Sequence, residues 1–348
     1  MSGVITWLGE WFFWPPFFQL VIAPGLVAAL VIVIFILWFE RKAAARVQMR
    51  VGPYNVSPRL GGALQLIADL VRYSFQEFIV PFTVDRAAFI TAPLLLLLAS
   101  MLPMAVIPVS PVLPYSYTWP NIMKYNLLLA LALTTLSPIF TVAAGWASNN
   151  KFSLIGAARE SFMVTAYELI FVLALLSTAA PVHSYDFVKI VEAQSTWKLM
   201  ALLNPPAFLA AFIATLLSTS GFPFEIPESE HEVVAGPFTE YSGLVYGVEM
   251  GAAYIKRYAM SVLMALAFFS GWKPLDPQPG AGVWSGYVAP LVVVLIKATI
   301  IMAVISFLRA VYGRYRLDQA LHLAWKILLP LALLGYAIGL VYGYLGVL

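Results

Sequence analysis

The chain has 348 residues, 61% of them hydrophobic and 11% charged, and its mean hydropathy is +0.87; that balance excludes a water-soluble domain of this size. The absence of cysteine excludes disulfides, thiolate zinc sites and Cys-ligated iron–sulfur clusters, so any redox centre must belong to a partner. A net charge of +3 is small and gives no reason to expect a nucleic-acid partner.

Apolar runs near the ~20 residues that cross a bilayer recur throughout, so the chain reads as an all-α polytopic membrane protein. It forms a single membrane domain over residues 1–348. Residues Met1 to Pro16 lack a basic n-region and a small-residue cleavage site, and the first span is expected to be retained as an anchor. Hydropathy places about eight spans: Phe17 to Phe39, Ala88 to Val109, Asn126 to Trp146, Phe162 to Ala180, Ala207 to Ser220, Leu244 to Ser270, Tyr287 to Leu308 and Trp325 to Val347. With the N-terminus outside, the inside connections hold Arg41, Lys42, Arg46, Arg50, Arg59, Arg72, Arg86, Lys151, Arg159, Arg309, Arg314 and Arg316. The outside ones hold Lys124, Lys189, Lys198 and Lys273, a clear positive-inside bias.

After the first span, Glu40 to Pro53 carries Arg41, Lys42, Arg46 and Arg50. Continued as a helix, it would put Lys42, Arg46 and Arg50 on one face. They would either offset acidic groups or bind lipid phosphates. Over 60–82, Leu60, Leu64, Ile67, Val71, Phe75, Phe78 and Ile79 recur at helical spacing around Asp69 and Arg72. A helix lying in the interface plane is expected there, with membrane lipid as its partner; a helix packed on the protein alone is the alternative. Pro103, Pro108, Pro111, Pro114 and Pro120 mark a stiff outside connection.

Charges inside spans cost about 3 kcal/mol on insertion scales, so each needs a cavity or a partner. Glu168, read in the first turns of the fourth span, is a functional candidate on that ground, as are Glu249 in the sixth and Lys297 in the seventh. Lys297 serves either proton transfer or as counter-ion to a buried carboxylate. Arg309, Arg314 and Arg316 are explained by anchoring alone. Residues 221–243 form an acidic loop on the inside, carrying Glu225, Glu228, Glu230, Glu232 and Glu240 with neither Lys nor Arg. Carboxylates this crowded hold protons or pair with cations from elsewhere. Phe222, Pro223, Phe224, Ile226, Pro227 and Pro237 are poor choices for a floppy solvated loop.

Five segments together resemble one family, the membrane subunit of respiratory complex I that adjoins the peripheral arm, known as NADH dehydrogenase subunit 1 in mitochondria. They are ERKAAARVQMRVGPYNVSPRLGGALQLIADLVRYSFQE from Glu40, GWASNNKFSLIGAAR from Gly145, AYEL from Ala166, PFEIPESEHEVVAGPFTEYSG from Pro223 and RYRLDQALHLAWKILLPLA from Arg314. The resemblance implies a quinone chamber and its bilayer entrance, with buried carboxylates that start a proton path. It assigns proton transfer to Glu168, Glu225, Glu228, Glu230 and Glu240, with Glu249 and Lys297 added from their place inside spans. It assigns the chamber and its charge support to Arg41, Arg46, Arg50, Asp69 and Phe224, and implies no metal site. Quinone is the implied substrate. Peripheral-arm iron–sulfur and quinone-site subunits, and antiporter-like and small membrane subunits, are the implied partners in a prokaryotic plasma membrane.

Three departures stand out. Where the family reads E-T-N-R-x-P-F, this chain has Ser218 to Phe224, lacking both Glu and Arg. A usual Glu in the sixth span is Ala253, with Glu249 one turn earlier, and the fourth span has Met163 for a usual Gln and an added Glu160. These mark a divergent, archaeal-type member. The corresponding subunit of a membrane-bound hydrogenase or ferredoxin-linked complex is the alternative, and an autonomous ion-coupled transporter is a second.

Overall fold

The computed structural model describes residues 18–111, 124–195, 198–275 and 284–346; the readings on Met1 to Pro16, Phe17, Pro114, Pro120 and Val347 lie outside them. Helices account for the regular structure of the described residues, without strands. Six stretches are long and apolar enough to cross a membrane: Gln19–Val47, Arg86–Ala105, Asn126–Ala147, Lys151–Val182, Ser285–Val311 and Leu317–Leu345. The other two expected spans are a short helix and a charged one. The short one, Pro205–Ser218, has 14 residues and rises about 21 Å, below the ~30 Å of hydrocarbon. The protein is thus multi-pass.

Helix α1 (Leu26–Val47) does not stop at Phe39. The Ala43–Ala45 run and its basic neighbours are strong helix formers and carry it two turns further. It ends where Met49 turns left-handed (φ 56°) and the Arg50 amide bonds back to the Ala45 carbonyl at 2.8 Å. Arg50 therefore leaves the helix, and the three-cation face is broken. Helix α2 (Gln65–Phe75) is shorter than the 60–82 expected. Gly61 and Gly62 both take positive φ, and a Cβ at Gly62 would lie 2.2 Å from the Pro53 carbonyl, so no helix passes through them. None of its residues is buried.

Asp85 caps α3 (Arg86–Met101) through the amides of Ala87 and Ala88. The third span is two helices, α4 (Asn126–Thr134) and α5 (Leu136–Ala147). Pro138 cannot donate to the Thr134 carbonyl, so the break falls there. Helix α6 (Lys151–Ala179) begins eleven residues before the expected Phe162, because Asn150 accepts from the Phe152 amide at 2.9 Å and starts the helix. Glu168 accordingly lies past the middle of α6, not in its first turns. After α7 (Phe187–Ala193) come α8 (Pro205–Ser218), α9 (Gly243–Phe268), α10 (Ala289–Val311), α11 (Leu317–Leu323) and α12 (Leu329–Leu345).

Helix α9 is the centre of the bundle. Every residue from Ile255 to Phe268 is buried, as a helix covered on all sides must be. It packs on α1, α2, α3, α8 and α10, and touches α6. Close approach holds the acidic loop on α6. A Cβ at Gly156 would stand 2.6 Å from the Gly236 Cα, and Gly236 itself has φ 56°, so both positions require glycine.

Candidate functional site

The acidic loop is neutralised from α6, α10 and the segment after α10, not from the Arg41 to Arg50 stretch. Arg159 donates to Glu232 at 2.5 Å and to the Ile226 carbonyl at 3.4 Å. Arg314 reaches Glu232 at 3.6 Å, and Arg309 reaches Glu225 at 3.8 Å while its guanidinium lies 5.5 Å from the Phe222 ring. Arg309 and Arg314 thus do more than anchor a helix end. Arg41 instead pairs with Asp69 at 2.7 Å, tying α1 to α2, and Arg50 bonds Gln48; Arg46 and Arg50 are exposed. Glu240 accepts from the Asn150 amide group, and Glu230 is exposed. Phe224 is buried and stacks on Tyr315 at 5.3 Å, which makes it a packing contact.

Glu40, 3% exposed, takes four donors on two oxygens. Tyr254 donates at 3.1 Å and Arg309 beside it on Oε1; Arg257 donates at 3.3 Å and Ser306 at 3.1 Å on Oε2. Arg257 also donates to the Thr219 carbonyl at 3.4 Å. A Cβ at Gly221 would meet its Nη2 at 3.3 Å. The guanidinium missing from position 221 is therefore supplied beside that position from α9.

Between the loop and the bundle lies a cavity of about 30 Å³ whose lining includes Glu160, Ser218, Thr219, Ser220, Glu228, Glu249, Ala253 and Lys256 beside the apolar Leu96, Pro227 and Phe238, room for about two waters. Ala253 and Glu249 share it, so the carboxylate one turn earlier still serves the same space. Glu249 is fully buried and neither oxygen has a hydrogen-bond partner among the described residues. Lys256 donates to the Tyr167 hydroxyl at 3.2 Å, which donates to Glu160 at 3.1 Å. Two turns along α6 from Glu160, Glu168 has a buried Oε1 with no partner among the described residues. Burial pushes the Glu228 carboxyl up to about 8, reinforced by Glu225 and Glu160 and opposed by Arg257 and Arg309. Burial raises Glu225 as well, against the pull of Arg309.

Lys297 stands apart. Its ammonium donates to the carbonyls of Phe269, Gly271 and Lys273 at 2.7, 2.7 and 2.6 Å. Three carbonyls just past the C-terminus of α9 use all three of its protons; among the described residues no carboxylate is its counter-ion. Glu160, Tyr167, Lys256, Arg257 and Arg309 were not singled out as site residues from sequence. The available signal was a lost cation at Gly221 together with two adjacent cations, Lys256 and Arg257, inside the sixth apolar stretch.

The class so defined is a polytopic helical membrane protein in which a loop of carboxylates opens onto a buried acid–base cluster. The family model described as NADH dehydrogenase matches residues 20–340, and the chain belongs to that family. It is 36% identical over 313 residues to the H subunit of NADH-quinone oxidoreductase from Thermomicrobium roseum, covering 86% of this chain and 88% of the relative. Over 309 residues it is 34% identical to the H subunit of F(420)H(2) dehydrogenase from Methanosarcina mazei, covering 87% of each. Over 315 residues it is 32% identical to the H subunit of NADH-quinone oxidoreductase from Geobacillus thermodenitrificans, covering 89% and 90%. The resemblance read from the five motifs is borne out.

Proposed function

We propose that the chain is the membrane subunit of a proton-translocating quinone oxidoreductase complex that adjoins the electron-delivering arm. In this reading it couples quinone reduction to proton movement through buried carboxylates. The observation that carries this reading is the cavity that Glu228 of the loop shares with Glu249, Glu160 and Lys256 of the bundle, with Glu168 buried two turns along α6 from Glu160. Relatives named as subunits of quinone oxidoreductases support a complex subunit over an autonomous transporter. Among the relatives is a subunit of an F(420)H(2) dehydrogenase, in keeping with an archaeal-type member.

Electrons reach quinone from an iron–sulfur cluster of a partner, since this chain has no thiolate to hold one. Its own apolar groove, about 420 Å³ between α5 and α6, is lined by the exposed Trp146 and Leu154; a closed quinone chamber therefore needs a partner subunit's wall. The uncovered apolar face of α2, with Leu70, Val71 and Phe75 exposed, suits the bilayer side of the entrance. Reduction of the quinone creates negative charge and a demand for protons. Either shifts Glu225 and Glu228, which hold protons more tightly than ordinary carboxyls, and the change passes to the cavity. The loop faces the cytoplasm of a prokaryotic plasma membrane, with the N-terminus outside, by the positive-inside bias. Antiporter-like membrane subunits receive the coupling.

Glu168→Gln in the intact complex tests the reading. Assembly should survive while protons moved per electron, read with a pH dye in vesicles, falls sharply. An assembled variant with normal coupling would remove Glu168 from the path.

A further inference from the structure

Lys256 is 6% exposed and Glu160 4%, and two opposite charges buried without direct contact stabilise a fold weakly because desolvation offsets their attraction. Both face the cavity that Glu228 and Glu249 share, and a single hydroxyl, that of Tyr167, joins them. We propose that Lys256 and Glu160, joined through Tyr167, form a proton relay that carries protons from the cavity under the acidic loop to Glu168.

Each step balances. A proton from Glu228 or Glu249 crosses cavity water to the Glu160 carboxylate. Glu160 then gives a proton to the Tyr167 oxygen as Tyr167 releases its own to the neutral Lys256 amine. This leaves a Glu160 carboxylate, an intact phenol and a Lys256 ammonium. The contacts of the Tyr167 oxygen, 3.2 Å from the Lys256 nitrogen and 3.1 Å from the Glu160 carboxyl, serve the chain both before and after that transfer. Lys256 then passes a proton to Glu168 and returns to the amine. Residues 160 and 168 are two turns apart on α6, so the charge advances about 12 Å toward the far side of the bundle. The titratable and charged groups around Lys256 are Glu160, Glu168 and the Tyr167 phenol from α6, Glu228 from the loop, and Glu249 and Arg257 from α9 itself. Helix α8 contributes the hydroxyl of Ser218, with that of Thr219 just beyond its end. Arg257 is turned away to Glu40, which leaves Lys256 as the cation facing α6.

This relay rests on the proposed coupling function. The test uses the intact complex with its partner subunits in vesicles, turning over on its own electron donor with a short-tailed quinone. Quinone reduction and proton movement are followed together. Three variants are compared: Lys256→Met, Lys256→Arg, and Lys256→Met with Glu160→Gln. Arginine keeps the charge and yields no proton at any working pH; the double variant removes both charges and leaves none unpaired. Proton movement per electron is expected to fall about tenfold or more in all three, as on loss of a positioned acid–base group. Normal coupling in Lys256→Arg or in the double variant would overturn the relay and leave the pair as structure. If Lys256→Met does not assemble, the double variant decides on the same readout. A wild-type complex that reduces quinone and moves no protons would instead sink the coupling function itself.

Discussion

Glu228 is half-buried beside two other carboxyls, and its proton is held up to about pH 8. Its folded-state value is raised above the ordinary 4.5, so the stability it contributes is fully present below 4.5 and is lost as pH rises through about 8. Glu228→Gln should flatten thermal stability across that window and leave the variant more stable than wild type above pH 8, as melting in detergent would show. Arg257 poses a different residue-scale question. Arg257→Leu removes one of two cations from Glu40 and should cost about 3 kcal/mol, the lower end for breaking a buried pair because Arg309 remains. Adding Gly221→Arg to that variant should recover part of the loss, since the freed space lies against position 221. Recovery of nothing would refute the view that the two positions serve one guanidinium site. Sequence disclosed the missing arginine; Lys256 and Arg257 stand in the sixth span with no local sign of what they pair with. The equivalence of positions 221 and 257 is a distance between a loop and a helix 36 residues later, which no local pattern carries.

At the scale of elements, hydropathy located α1, α3, α6, α10 and α12 and missed their ends for local chemical reasons. A cap at Asn150 lengthens α6 and moves Glu168 inward. Two glycines at positive φ shorten α2, and an alanine run extends α1. None of these changes mean hydropathy, so a window average passes over them. Lys297 shows the same limit. A lysine in an apolar span reads as a site until the α9 C-terminus is found packed against it. Lys297→Met should destabilise the protein by at least about 2 kcal/mol, since three carbonyls lose a charged donor. Coupling per electron in the assembled fraction should stay normal; a coupling defect at unchanged stability would return Lys297 to the proton path.

Taken whole, the molecule packs most of its apolar helices against one helix that is not apolar throughout. Helix α9 carries Glu249, Lys256 and Arg257 among 26 residues, and its composition alone does not qualify it to cross a membrane. The acidic loop, the family and the multi-pass architecture were all legible from pattern and motif. That the loop's cations come from α6, α10 and the segment after it was not, because it depends on which helices neighbour which. The central place of α9 also bears on how the chain is made. At about 3 kcal/mol per charge, three charges oppose entry of an isolated α9 into lipid by roughly 9 kcal/mol. The groups that receive its cations, the Glu40 carboxylate on α1 and the Tyr167 hydroxyl on α6, precede it in the chain and so are synthesised first. Helix α9 is expected to enter the bilayer against helices already in place, which would make the order of the sequence also an order of insertion.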